Sequence, residues 1–241
     1  MLTLAIEATN PNVPSPGVLL ARTGDDASPG KAVVLATRSL RQQGRHDDLL
    51  LPAIAELFEE VGAKPSELDE VLVSIGPGGF TATRLVCVAA AVLAEVSGAS
   101  VLAVPTVNVA IETALQVRDI RGGVVVAMAC KLDSAYVARF DTTRLEFSAP
   151  GRSIGPRDFD ALLLPGDVLI HEGHVPEQML EVASKRGAEC FPMKLTAEGL
   201  LAYRSAAEAV PVEALRPIYP REPDAVTQWR RRYGKAPGDD S

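Results

Sequence analysis

The segment that most restricts the fold is residues 71–84, VLVSIGPGGFTATR, in which a short apolar stretch runs into three glycines and a proline. The apolar stretch predicts a buried strand, and the residues from Thr81 onward predict a helix. Glycine and proline between a strand and a helix let the backbone turn sharply and approach another group closely. Because the amides at a helix N-terminus carry partial positive charge, such a turn also suits an anion, for example a phosphate.

Two familiar phosphate-binding motifs do not fit this turn. The P-loop requires a lysine and then a serine or threonine after its last glycine, but Phe80 and Thr81 stand there. The dinucleotide fingerprint requires a third glycine in place of Thr81 and an acidic residue at the end of the next strand, which residues 100–104 lack. Two interpretations stay open: a tight turn that binds nothing, and a phosphate site of another kind.

The composition predicts a layered α/β protein of a reducing compartment. The chain has 241 residues, of which 47% are hydrophobic and only 5% aromatic, so its core consists mainly of alanine, valine and leucine. The net charge of −7 argues against a protein that binds nucleic acid by itself. Cys87, Cys130 and Cys190 are far apart and odd in number, which favours free thiols and a cytoplasmic location. No apolar run approaches the roughly 20 residues of a membrane helix, and no signal peptide is predicted.

The order of the predicted elements indicates two similar halves and a tail. The first half has strands at 2–8, 17–22 and 32–38, a helix at 47–61 that Gly62 ends, the strand at 71, and then a helix at 81–97, a strand at 100–104 and a helix at 105–117. The second half has strands at 124–130, 136–141 and 145–148, a helix at 157–164, a strand at 168–171, and helices at 176–186 and 197–209. We predict an N-terminal subdomain at 1–107, a smaller one at 108–210, and a proline-rich, basic-aromatic tail at 211–241.

Three motifs together resemble the TsaB (YeaZ) family of the actin-like, RNase H-like ATPase superfamily. Residues 4–9 read LAIEAT, where the family has a first strand close to ILAIDTS. Residues 46–52 read HDDLLLP, similar to H-x-x-x-L-L-P, and residues 76–84 read GPGGFTATR, similar to G-P-G-S-F-T-G-x-R. Residues 217–221, PIYPR, followed by Trp229 are similar to the family's Y-x-R ending. The resemblance covers residues 1 to about 117 well and the rest weakly.

This resemblance implies an α/β fold of two RNase H-like (actin-like ATPase) subdomains, each a mixed sheet flanked by helices. It implies a non-catalytic scaffold that pairs with a TsaD-like protein as a heterodimer and works with a TsaE-like ATPase. Such proteins transfer a threonylcarbamoyl group to the adenosine beside the anticodon, so tRNA is reached only through the complex. The family also self-associates through the same surface, which makes a homodimer the other assembly. The implied interface residues lie in the first two helices: His46, Leu50, Ala53, Leu57, Val86 and Ala90.

The superfamily's nucleotide site is weakened in this sequence. Where nucleotide-binding relatives have an aspartate in the first strand, Glu7 keeps the carboxylate, but the prolines that follow it lack N–H donors for a phosphate. Gly79 stands in place of a serine. The candidate nucleotide-binding residues are Glu7, Gly76, Gly78, Gly79 and Thr81. We expect no catalytic residue, no required cofactor, and at most weak ATP or ADP binding.

The metal site of the catalytic relatives is incomplete as well. Those relatives carry two histidines four residues apart on the first helix, which lets both reach one metal. Here Leu50 follows His46 at that spacing and cannot ligate, so we reject a metallopeptidase and expect no metal site. His171 and His174 lie beside Glu172 and are predicted to be polar loop residues. The remaining alternatives are an active ATP-dependent transferase or kinase of this fold, and a divergent homodimeric member of the family.

Overall fold

The computed structural model describes residues 1–10, 12–13, 16–24, 32–40, 49–130, 133–220 and 224–234. These residues form two mixed sheets with helices on their faces, which confirms the predicted α/β architecture. The helices are α1 (Leu50–Val61), α2 (Phe80–Ser97), α3 (Thr106–Leu115), α4 (Pro156–Leu162), α5 (Glu177–Lys185), α6 (Ala197–Ala202) and α7 (Asp224–Tyr233).

Lobe 1 is the part of the molecule built on a six-stranded sheet. Its strands are β1 (Leu2–Glu7), β2 (Gly17–Arg22), β3 (Val33–Ser39), β4 (Glu70–Ser74), β5 (Ser100–Val104) and β11 (Glu208–Val210). They lie in the order β11-β5-β4-β1-β2-β3. The central strands β1, β4 and β5 run parallel, and their apolar character on both faces is typical of strands covered from two sides.

Lobe 2 is built on a five-stranded sheet. Its strands are β6 (Gly123–Ala129), β7 (Ala135–Asp141), β8 (Glu146–Ile154), β9 (Val168–His171) and β10 (Glu189–Pro192). They lie in the order β10-β9-β6-β7-β8. Each lobe therefore places its first strand in the middle, its two antiparallel partners on one side and its two parallel partners on the other.

Alternation along the strands divides the interior into three cores. In β1, Leu4 packs with α1 and α2, whereas Ala5 packs on the opposite side with α3 and α6. In β6, Val124 joins that same middle core, whereas Val125 packs with α4 and α5. Because successive side chains of a strand point to opposite faces, both sheets are buried on two sides. Helices α3 and α6 thus lie between the sheets and join the lobes.

Helix α2 is the crossover between the parallel strands β4 and β5. Parallel neighbours need such a connection, and the helix then packs against the sheet. Within the described residues, α2 is also the one helix that is long and apolar enough to cross a membrane by length and composition. The core helix of a soluble protein meets the same criterion, and Val86, Ala90 and Ala94 pack against lobe 1. We therefore describe α2 as a core helix.

Helix α1 ends as predicted at Gly62. The φ of Gly62 is 67°, a left-handed conformation that glycine adopts without strain, and its N–H donates to Glu59 O. The described helix begins at Leu50, and Pro52 lies in its first turn, where a missing N–H costs no helical hydrogen bond. The predicted start at residue 47 lies outside the described residues.

Three elements differ from the prediction. Strand β8 extends to Ile154, although Pro150 and Gly151 suggested a loop after residue 148, because an edge strand tolerates both residue types. Strand β10 was not predicted, since its four residues carry no clear alternation. The helix predicted at 197–209 ends at Ala202, and residues 208–210 form β11 instead.

The C-terminal part of the chain returns to lobe 1, which corrects the predicted domain boundaries. Strand β11 pairs with β5, and the buried Leu215 joins the core beneath α1 and α2. Arg204 donates to both carboxylate oxygens of the buried Glu70, at 2.7 and 3.0 Å. Residues 211–220 are therefore not a tail but part of lobe 1. The boundary predicted after residue 107 also falls inside α3.

Candidate functional site

The glycine turn is a junction where three backbone segments meet. Gly76 has a φ of 98°, and a Cβ added to it would lie 2.8 Å from Ile218 O. A Cβ added to Gly78 would overlap the carbonyl oxygen of Thr9. The N–H of Gly79, the residue before α2, donates to that same oxygen at 2.8 Å. The glycines are thus required for close packing of the turn against the segment after β1 and against the returning C-terminal segment.

Glu7 lies under this junction and is fully buried. Its Oε1 accepts hydrogen bonds from the backbone N–H of Thr9 at 2.9 Å and from the Thr9 hydroxyl at 2.8 Å. The Thr9 hydroxyl lies 3.1 Å from that of Thr106, which in turn lies 2.9 Å from the Ser74 hydroxyl. Four buried polar side chains therefore connect the end of β1, the end of β4 and the start of α3.

The second carboxylate oxygen of Glu7, Oε2, is buried without a hydrogen-bond partner. Burial raises the pKa of Glu7 above its ordinary value, and the nearby Ser74 hydroxyl together with the hydrogen bonds from Thr9 opposes this only in part. Glu7 was predicted to contact a nucleotide. In this arrangement it does not, because its whole side chain is enclosed by the protein, so that prediction is corrected for the described conformation.

A cavity of about 150 Å³ opens beside the glycine turn, between the lobes. It is lined by Asn10, Asn12, Pro77, Gly78, Gly79, Met128, Ala129, Tyr136, Glu172 and Pro220. Of the candidate nucleotide-binding residues, Gly78 and Gly79 reach the cavity. Glu7, Gly76 and Thr81 are not among its lining residues.

The cavity does not fit a nucleotide. Sites for ligands of that size enclose roughly 300–1,000 Å³, well above the volume found here. The buried carboxylate of Glu172 also lines the cavity, and its negative charge disfavours a phosphate. The weak ATP or ADP binding expected from the sequence stays a prediction, and it would require the lobes and Pro220 to move apart.

Residues 215–220 hold the glycine turn from the C-terminal side. The N–H of Ile218 donates to Ile75 O at 2.7 Å, immediately before the first glycine. The ring of Tyr219 stacks on that of Phe80, the first residue of α2, with centroids 5.0 Å apart. The guanidinium of Arg84 lies 5.3 Å from the centroid of the Phe80 ring. The sequence indicated neither the contact of Ile218 nor that of Tyr219, because each of these residues lies more than 130 residues from its partner.

The histidines of the described residues form no metal centre. No group of three or more His, Cys, Asp or Glu side chains is placed to hold a metal there, and His46 lies outside that part of the chain. His171 Nδ1 lies 3.1 Å from Glu172 O, and His174 Nδ1 lies 3.8 Å from Glu172 Oε1. The predicted absence of a metal site therefore stays a prediction for the whole chain.

The interface residues predicted in α1 and α2 are buried, which corrects that choice. Those in the core of lobe 1 are Leu50, Ala53, Leu57, Val86 and Ala90. None of them offers a surface to a partner, and His46 lies outside the described residues. Beyond Phe80 at its start, the exposed large apolar residues of α2 are Val88, Val92 and Val96, at 60%, 56% and 72% exposure. Their spacing of four residues places them on one face of the helix, and we call them the α2 stripe.

The sequence could not select this face. Helix α2 is apolar on nearly all sides, so its pattern does not separate the residues that pack on the sheet from those that face outward. The signal that could have been used is the repeat of valine at every fourth position together with Arg84 and Glu95, two charged residues that mark the outward side.

Both lobes repeat one order of elements: three strands, a helix, a strand, a helix, a strand and a helix. Their sheets also share one strand order, except that β11 is added beside β5 in lobe 1. A duplicated mixed sheet of this order, with a glycine turn at the cleft between the halves, defines the two-lobed RNase H-like class to which actin-like proteins belong. The fold predicted from the motifs is therefore confirmed.

Two solved structures within this class have folds similar to that of this chain. YeaZ from Pseudomonas aeruginosa superposes with a TM-score of 0.69 at 20% identity, over 90% of this chain and 100% of that one. A second structure from P. aeruginosa, described as similar to peptidase YeaZ, matches equally well over 91% of this chain and 99% of that one. The chain has the YeaZ fold, and the resemblance to TsaB (YeaZ) proteins is confirmed at that level.

One family model matches the sequence itself. Residues 34–149 match the family TsaD, described as tRNA N6-adenosine threonylcarbamoyltransferase. This region contains the glycine turn and helices α1, α2 and α3 and continues into lobe 2, and the match supports membership of the superfamily that contains TsaD. No curated protein matches the chain.

Proposed function

We propose that this chain is a TsaB-type subunit of a tRNA-modifying complex. It pairs with a TsaD-like protein, works with a TsaE-like ATPase, and supports transfer of a threonylcarbamoyl group to the adenosine beside the anticodon. Its role is that of a non-catalytic scaffold in the cytoplasm. The YeaZ fold and the TsaD family match support this proposal.

The observation that carries the proposal is the α2 stripe. Three valines exposed on one face of a core helix leave apolar side chains in water, at a cost that docking of a partner would remove. The stripe lies on the outward side of α2, above the core that α1 and α2 share. Leu51 of α1 is exposed and apolar as well. We therefore assign the stripe, rather than the buried residues, to the partner surface.

The buried state of Glu7 supports a non-catalytic role. An active ATP-dependent transferase or kinase of this fold would use a carboxylate at this position to hold the metal and phosphates. The Glu7 carboxylate instead accepts two hydrogen bonds from Thr9. We expect magnesium-dependent ATP turnover at background level, and turnover that Glu7→Ala abolishes would contradict this expectation.

The experiment is a pull-down with the TsaD-like protein of the same organism. Val92→Asp places a charge in the middle of the stripe and is expected to weaken pairing at least about tenfold, because an apolar contact is replaced by a buried unpaired charge. Val117→Asp is the control with the same substitution, since Val117 is also an exposed valine, at 74%, but lies beyond α3. Both variants are expected to unfold at the wild-type temperature.

The outcomes separate the alternatives. If Val92→Asp and Val117→Asp bind the TsaD-like protein equally well, the α2 stripe is not part of the interface. A wild-type chain that never binds the TsaD-like protein, together with intact tRNA modification after deletion of its gene, refutes the proposed function. A homodimer that Val92→Asp dissociates, without any TsaD-like complex, supports the divergent homodimeric alternative, because one self-complementary stripe can also join two copies.

A further inference from the structure

Helix α7 presents two neighbouring aromatic rings at the surface. Trp229 and Tyr233 lie one turn apart, with ring centroids separated by 4.5 Å. Trp229 is 45% exposed and Tyr233 is 61% exposed. Large aromatic side chains in water are unfavourable unless they serve a contact, and Trp and Tyr are enriched where proteins bind partners.

The same helix carries a concentrated positive charge. Residues 230–232 of α7 are three consecutive arginines, and the one acidic residue of the helix, Asp224, lies at its opposite end, although the whole chain has a net charge of −7. On a helix, Arg232 flanks the aromatic pair on one side and Arg230 flanks it on the other, by the rotation of 100° per residue that the helical geometry gives. Arginines therefore occupy the helix positions on both sides of the aromatic pair.

We propose that α7 is a contact surface for single-stranded or looped RNA. Unpaired RNA offers both groups that this surface recognises, since exposed bases stack on aromatic rings and phosphates attract guanidinium groups. A protein partner is the other occupant that aromatic and arginine side chains fit, and the test below separates it from RNA. The inference rests on the proposed function for its biological setting, and it assigns to this chain a direct RNA contact that the scaffold role alone does not require.

The test measures RNA binding by the full chain, alone and in complex with the TsaD-like protein. The probes are a short fluorescein-labelled single-stranded RNA, a hairpin with an unpaired loop, and a blunt duplex, each titrated over a series of KCl concentrations. Trp229→Ala is expected to weaken binding to the single strand and the hairpin about tenfold, since each stacked base contributes appreciably, and to leave duplex binding nearly unchanged. Circular dichroism checks that each variant is folded.

A charge variant provides the second measurement. Replacing Arg230, Arg231 and Arg232 by glutamine is expected to reduce the slope of log affinity against log salt by roughly 2, because each phosphate contact on a single strand contributes about 0.7. The matched control replaces three exposed arginines of lobe 2, Arg144, Arg152 and Arg157, by glutamine, which changes the net charge equally. The control is expected to keep the wild-type slope.

Three results would overturn the inference. They are equal loss of RNA binding in the α7 and control charge variants, RNA binding that does not distinguish single strands from duplex, and loss of TsaD-like pairing in the α7 variants without any loss of RNA binding. The last result would assign α7 to a protein contact. Because Val92→Asp tests pairing and the α7 variants test RNA, failure of the proposed function and failure of this inference give different results.

Discussion

Replacing Glu7 by glutamine is expected to stabilise the protein at neutral pH. The amide oxygen of glutamine can take the place of Oε1 and accept both hydrogen bonds from Thr9. Its NH₂ group would occupy the place of Oε2, which has no partner in the wild-type protein. There it could donate to the oxygen of Ser74. The substitution keeps the shape of the side chain and removes the buried charge.

The magnitude follows from the environment of Oε2. A buried polar group without a partner costs about 1–3 kcal/mol, so we expect Glu7→Gln to raise the free energy of unfolding by that amount near pH 7. Burial raises the folded-state pKa of Glu7 above the ordinary value of 4.5. The stability that protonated Glu7 provides is therefore complete below the unfolded-state pKa and is lost as the pH rises through the folded-state pKa. The advantage of the variant is expected to grow over that interval and to vanish at acidic pH.

The measurement is urea unfolding of both proteins over a pH series that starts below the ordinary carboxyl pKa of 4.5 and continues to neutral pH and above. Circular dichroism is the suitable signal, because the single tryptophan, Trp229, is exposed on α7 and reports little on the cores. Glu59→Gln, at an exposed position on the same lobe, is the control and should differ from wild type by the same small amount at every pH. The reasoning is refuted if the Glu7→Gln difference does not change with pH, or if the variant is the less stable protein at pH 7.

Two further substitutions test how lobe 1 is held together. Arg204→Gln leaves a buried carboxylate unpaired in lobe 1 and is expected to lower the free energy of unfolding by about 3–5 kcal/mol, whereas Arg121→Gln, which removes an exposed ion pair, should leave the urea midpoint unchanged. Gly78→Ala forces a Cβ into a carbonyl oxygen and is expected to cost about 1–3 kcal/mol in thermal or urea unfolding, whereas Gly173→Ala, with open space around it, should have almost no effect. If the two variants of either pair had the same free energy of unfolding, the packing of lobe 1 would be contradicted.

Local patterns in the sequence were sufficient to predict most elements of the fold. The strand at 100–104 and the strand at 168–171 have the predicted bounds, and the helix after the glycine turn begins within one residue of Thr81. These elements have clear apolar runs and clear end signals. The strand that replaces the last turns of the helix predicted at 197–209 could not be foreseen, because its conformation depends on pairing with β5 and not on its own residues.

The candidate site was harder to predict than the fold. The glycine turn was identified, but the reason for its glycines was not, because Thr9 and Ile218 approach it from distant parts of the chain. Glu7 was taken for a ligand-binding carboxylate, since nothing in the sequence shows that Thr9 folds back onto it. The residues predicted for a partner surface in α1 and α2 are buried, because an apolar helix does not reveal in its sequence which side faces the sheet.

The return of residues 208–218 to lobe 1 has a consequence for synthesis on the ribosome. The sheet of lobe 1 lacks an edge strand, and its core lacks Leu215, until residues 208–215 have been translated. Lobe 2 is complete well before that point, since its last strand ends at Pro192. The sheet of lobe 1 therefore stays incomplete while the later half of the chain is synthesised. During this period its unpaired strand edges are exposed to chaperones.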